Sequence, residues 1–132
     1  MSHAETLYCG AVLKLWLRVW GVVFALGALD FLLLPTRTVQ SLNAAGARLG
    51  LSATPASPGY WVPLAAAYMV LIAVFCWDGQ ARYLLIAKVT SSAFALGWFL
   101  LAGLQFPFLA AGVIDGLIAA GTAALLRSER AG

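Results

Sequence analysis

Tyr83 to Leu126 reads YLLIAKVTSSAFALGWFLLAGLQFPFLAAGVIDGLIAAGTAALL, and its only charges are Lys88 and Asp115. A helix needs roughly 20 apolar residues to cross the hydrocarbon core of a bilayer. This run holds two such lengths, separated by little more than Gln105-Phe106-Pro107. Lipid-exposed backbone must satisfy its own hydrogen bonds, and segments this long and evenly apolar are unlike barrel strands. The stretch therefore predicts a tight hairpin of two membrane-spanning helices, at about 83–104 and 106–126.

Working outward, two further apolar stretches precede the hairpin. One runs from Val12 to Leu34 and stops at Pro35; the other runs from Tyr60 to Trp77 and ends at Asp78-Gly79. A cleaved signal peptide is the competing reading of the first, because Lys14 and Arg18 imitate a charged n-region and Ala45-Gly46-Ala47 imitates a cleavage site. Asp30 interrupts that run and the site lies far beyond its end, so it reads as a retained span. The expected fold is an all-α integral membrane protein, a single domain over 1–132. Its four helices form an antiparallel bundle with spans at about 12–34, 60–77, 83–104 and 106–126.

The composition agrees. Of 132 residues, 63% are hydrophobic and 10% charged, with a mean hydropathy of +0.93. Soluble domains carry about 25% charged residues. Soluble enzymes, nucleic-acid binders, disordered tails and disulfide scaffolds are excluded on that ground. The two cysteines, Cys9 and Cys76, have no metal-ligand spacing, and the single histidine, His3, lies near the terminus. No zinc, haem or iron–sulfur site is expected, and no cofactor.

About 25 residues separate the first two spans, long for a bare connection in a compact domain. Val39, Leu42, Gly46 and Leu49 recur there at helical spacing, with Arg37, Gln40, Asn43 and Arg48 between them. That pattern predicts a short amphipathic helix in the membrane interface over about 36–50, with a plain loop as the alternative. Pro55 and Pro58 exclude a continuous helix beyond it.

Lysine and arginine concentrate on the cytoplasmic side of spans. Lys14, Arg18, Arg82, Arg127 and Arg130 share one side if both termini face the same compartment, against Arg37 and Arg48 on the other. Both termini are accordingly expected in the cytoplasm, with the chain integral to the cell (inner) membrane. Trp16, Trp20, Trp61 and Trp77 lie near span ends, where indole rings favour the headgroup region.

Few residues carry possible chemistry. Asp115 sits near the middle of the last span, where a carboxylate costs about 2.5–3.5 kcal/mol. It must be protonated, paired or turned toward a polar cavity, as an ion or ligand site or as a buried interhelical hydrogen-bonding residue. Lys88 either snorkels to the headgroups or pairs with Asp115. With the hairpin centred near Gln105, Lys88 is level with Thr122 and Asp115 with Ala95. The mismatch is then about 10 Å along the axes, which disfavours a direct bridge. Ser92 lies one turn beyond Lys88 and offers a polar track Lys88–Ser92–Asp115, unless its hydroxyl bonds its own helix. Asp30 either pairs with Arg37 or joins Tyr60 or Tyr68 in an open polar pocket, and Asp78 with Arg82 reads as a solvated turn pair. Gly112, Gly116 and Ala120 form a small-residue seam, with Gly97 among its candidate counterparts. Phe94, Trp98, Phe99, Phe106 and Phe108 crowd one half of the hairpin, either as lipid contact and core packing or as a surface for a flat apolar ligand.

The opening Leu15-Trp16-Leu17-Arg18-Val19-Trp20-Gly21-Val22-Val23-Phe24, followed by Gly27, together with the four-span pattern, resembles small bacterial DoxX-like membrane proteins. The resemblance implies a four-helix bundle and, for some members, an accessory role beside quinone-coupled respiratory enzymes. It covers the first span and the overall pattern, and carries over no site residue.

Two functions follow as expectations. The first is a non-catalytic helical subunit in a homo-oligomer or larger membrane complex. The second is a small oligomeric transporter, or a protein binding an apolar ligand such as a lipid or quinone, using Asp115 with Lys88, Ser92 or Asp30. A membrane enzyme is the least supported reading, because no Ser–His–Asp set or metal cluster is present. The expected surroundings are the lipid bilayer, with no nucleic acid.

Overall fold

A computed structural model describes residues 3–53, 61–101 and 103–131, with side chains described for 10–53, 63–101 and 103–130. Within them the chain forms five α-helices and no strand: α1 His3–Leu33, α2 Pro35–Arg48, α3 Trp61–Trp77, α4 Ala81–Leu101 and α5 Phe106–Ala131. Three helices contain segments long and apolar enough to cross a membrane: Gly10–Leu33, Ala81–Leu101 and Phe106–Arg130. The fourth expected span corresponds to α3, whose apolar part, Pro63–Trp77, is shorter. Its 17 residues extend about 26 Å at 1.5 Å per residue.

Each helix end has a local cause. Proline disfavours helical backbone in the residue before it and is preorganised for the first helical turn. Accordingly α1 stops at Leu34 (φ −130°, ψ 47°) and α2 starts at Pro35, giving the expected amphipathic segment a helical conformation. After α3, Gly79 adopts φ +71° and the Gln80 N–H donates to the Phe75 carbonyl at 2.8 Å. That left-handed residue closes the helix without the strain a Cβ would bring. After α4, Gly103 (φ +94°) and Leu104 (φ +59°) reverse the chain. The hairpin link is thus centred earlier than Gln105-Phe106-Pro107, and Phe106 already belongs to α5. The Ser52 N–H donates to the Leu104 carbonyl at 3.3 Å, tying the segment after α2 to this turn. Pro55, Pro58 and Tyr60 lie outside the described residues.

The most extensive packing joins α1 to α3 and α4 to α5; α1 also meets α5, and α3 meets α4. Contacts step in opposite directions along each pair. Gly21 lies against Trp77 and Gly27 against Met69, while Gly112 lies against Leu96 and Gly116 against Ser92. The core where the four helices meet includes Leu17 and Phe24 from α1, Ile72 and Cys76 from α3, Leu84 from α4 and Ile118 from α5. α2 lies outside this core and packs on α5. Val39 is buried, and a Cβ added at Gly46 would stand 2.5 Å from the Phe106 Cβ. The outward surfaces are strongly apolar, α4 most of all, with Phe94 and Leu101 exposed by 77% and 83%.

Candidate functional site: a buried ion pair under two aromatic rings

Lys88 and Asp115 form a direct ion pair, Nζ to Oδ1 at 2.7 Å. They are the buried charged residues of the described chain, exposed by 1% and 6%. This corrects the sequence expectation of a 10 Å mismatch. With α4 ending at Leu101 and α5 starting at Phe106, the levels of Lys88 and Asp115 differ by about one helical turn, ~6 Å. A lysine stem spans that distance. Lys88 turns inward and does not snorkel.

Two other helices complete its surroundings. The Lys88 ammonium stands 3.8 Å from the Phe24 ring centroid on α1 and 5.0 Å from the Tyr68 ring centroid on α3. A ring face carries partial negative charge, and its attraction for a cation strengthens to about 2 kcal/mol when both are removed from water. The ammonium is therefore held by a carboxylate from α5 and aromatic faces from α1 and α3. Tyr68 is fixed by its own hydroxyl, which donates to the Ala87 carbonyl at 3.1 Å. Phe24 falls at i+4 from Trp20 and i+8 from Trp16, so one face of α1 presents three aromatic rings inward. That periodicity was the available sign of an internal aromatic wall. Trp16 and Trp20 are half-buried on this face. The Trp16 indole N–H donates to the Thr122 hydroxyl at 3.1 Å, and that hydroxyl donates to the Ile118 carbonyl at 2.7 Å. The Trp20 N–H is buried without a hydrogen-bond partner among the described residues.

The remaining expected site residues separate into three places. Ser92 does not bridge Lys88 to Asp115; its hydroxyl donates across to the Gly112 carbonyl at 2.7 Å. Gly112 and Gly116 are occupied within the chain, where added Cβ atoms would meet Leu96 at 2.6 Å and the Ser92 hydroxyl at 3.1 Å. Gly97 faces open space and Ala120 is exposed, so neither packs in that seam. Asp30 is exposed. It accepts a 2.7 Å hydrogen bond from the Thr38 hydroxyl and forms no ion pair with Arg37. The Asp78–Arg82 turn pair is likewise unformed, because Lys88–Asp115 is the ion pair found among the described residues. Phe94, Trp98 and Phe108 line an outward cleft together with Ser91 and Ala95. Among the described residues no group of three His, Cys, Asp or Glu side chains converges on a metal position.

Chemically, the arrangement is closed. A charge pair at hydrogen-bonding distance, capped by rings and itself buried, can fix the relative rotation and height of four helices. No protein-family model, curated protein or solved structure matches this chain.

Proposed function

We propose that this protein is a small integral membrane subunit without catalytic activity, with α1, α3, α4 and α5 crossing the bilayer as an antiparallel four-helix bundle. Both termini face the cytoplasm in this reading, and the outer helix faces pack against a partner in a membrane complex. The observation that carries it is the mutual neutralisation of Lys88 and Asp115 inside the helix cluster. The costliest residues for a bilayer are used up within the chain, while the outer faces stay apolar. Exposed Lys14, Arg18, Arg82, Arg127 and Arg130 support the orientation through the positive-inside rule. The alternative, transport or ligand handling through Asp115, has less support because the carboxylate is already engaged and enclosed.

Native mass spectrometry after gentle extraction from the source membrane tests the proposal. A reproducible heterologous mass is expected, lost in Gly97→Leu, which alters the open face of α4 and leaves the internal seams intact. A bare homo-oligomer carrying a stoichiometric small ligand would refute the subunit role in favour of ligand handling.

A further inference from the structure

The elbow between α1 and α2 contains an open cleft of about 580 Å³ lined by Asp30, Leu34, Arg37, Thr38, Ser41 and Leu42. It exists because Pro35 breaks the path of α1 after Leu34 and starts a new helix, which turns the side chains of 37, 38 and 41 back toward 30. The lining carries both signs of charge, and the two do not cancel directly. The Thr38 hydroxyl lies 2.7 Å from Asp30 Oδ2 and 2.9 Å from the Leu34 carbonyl. That contact steadies the carboxylate and leaves Oδ1 without a hydrogen bond among the described residues. The Arg37 guanidinium, exposed on the same cleft, has no ion pair or hydrogen bond among the described residues.

A carboxylate and a guanidinium held apart in one cleft suit a ligand with the opposite charges at a similar separation. Arginine matches phosphate oxygens with two parallel donors, and a carboxylate accepts from a primary ammonium. Leucines 34 and 42 on the same lining add apolar surface beside the polar groups. Leu32, Leu33 and Leu34 are exposed by 56%, 73% and 45% at the end of an apolar segment long enough to cross a membrane, Gly10–Leu33. The cleft therefore lies where a span gives way to an amphipathic helix, the level of lipid headgroups.

We infer that this elbow binds the headgroup of a zwitterionic phospholipid bearing a primary ammonium, phosphatidylethanolamine in chemical class. The phosphate is taken by Arg37 with the Ser41 hydroxyl, the ammonium by Asp30, and the glycerol end of the acyl chains by Leu34 and Leu42. This rests on the membrane placement of the chain and not on its subunit role, so loss of the latter leaves it standing.

The test titrates the delipidated full-length protein in micelles with phosphatidylethanolamine, phosphatidylcholine and phosphatidylglycerol of identical acyl chains, counting bound lipid by native mass spectrometry. Phosphatidylethanolamine is expected to bind about tenfold more tightly than phosphatidylcholine, whose quaternary nitrogen has no N–H to donate. Arg37→Ala is expected to weaken phosphatidylethanolamine about tenfold with helicity unchanged, as suits an exposed side chain. Asp30→Asn is expected to remove the preference over phosphatidylglycerol while keeping the Thr38 hydrogen bond. Equal binding of the three lipids by the native chain, or a preference that survives both variants, overturns the site. Competition by water-soluble phosphoethanolamine at the same concentration overturns the lipid assignment in favour of a soluble zwitterion.

Discussion

Removing one member of the Lys88–Asp115 pair leaves the other as a buried, unpartnered charge, and the cost of that charge is measurable. At 2.7 Å and an effective dielectric constant near 20, the attraction is about 6 kcal/mol. Withdrawing two ions from water costs several kcal/mol each, so the net worth of the intact pair is near zero. The stranded charge is different, and breaking a buried pair costs about 3–5 kcal/mol. Lys88→Met and Asp115→Leu are each expected to raise the unfolding constant by roughly two to nearly four orders of magnitude. The double variant, with both groups apolar and similar volumes kept, is expected to lie within about 1.5 kcal/mol of the native chain. Reversible unfolding in mixed micelles, followed by circular dichroism, gives all four corners of the cycle. Hydrogen bonds between membrane helices average only about 0.6 kcal/mol, so a loss of 3 or more identifies a stranded charge and not a missing hydrogen bond. Additive losses in the double variant would refute the reasoning, because they would assign the cost to packing.

Three other perturbations bear on the packing and the orientation. Gly112→Leu is expected to destabilise the isolated chain by about 2 kcal/mol or more through its clash with Leu96, while Gly97→Leu leaves unfolding unchanged; equal effects would show that the two faces are not distinct. Thr122→Val strands the Trp16 indole N–H and is expected to cost about 1–2 kcal/mol in the same unfolding assay. A native-like transition would mean that the bond has no part in holding α1 to α5. In oriented vesicles, Arg48→Cys is expected to react with an impermeant thiol reagent from outside and Arg130→Cys from the cytoplasmic side. Reversed labelling would invert the topology.

Much of the architecture was legible because a bilayer leaves few choices. Long apolar runs bounded by Pro35 and Asp78-Gly79 and interrupted near Gln105-Phe106-Pro107 mark the helices, and the 3.6-residue rhythm of Val39, Leu42 and Gly46 marks α2. The ion pair was not, for a geometric reason. Its partners' relative height depends on where the hairpin turns, and a shift of one or two residues from Gln105 to the Gly103–Leu104 reversal moves the facing levels by twice as many. The aromatic cap was hidden differently. Trp16, Trp20 and Phe24 share one face of α1, and their spacing is the sole sign of an internal face on a helix that is apolar all round. The role of Asp30 was misread because opposite charge drew attention to Arg37, whereas the Pro35 break brings the Thr38 hydroxyl within reach.

The two buried ions of the described chain belong to the consecutive helices α4 and α5, and not to distant parts of the chain. A translocating ribosome releases α4 and α5 one after the other, and together they are electrically neutral in their apolar stretch. The α4–α5 hairpin is thus the unit in which these two charges can leave water together, and neither half can do so alone without carrying an uncompensated charge. Phe24 and Tyr68, on helices made earlier, add the rings that shield the cation. Neutrality is a property of the hairpin, and shelter is a property of the assembled whole.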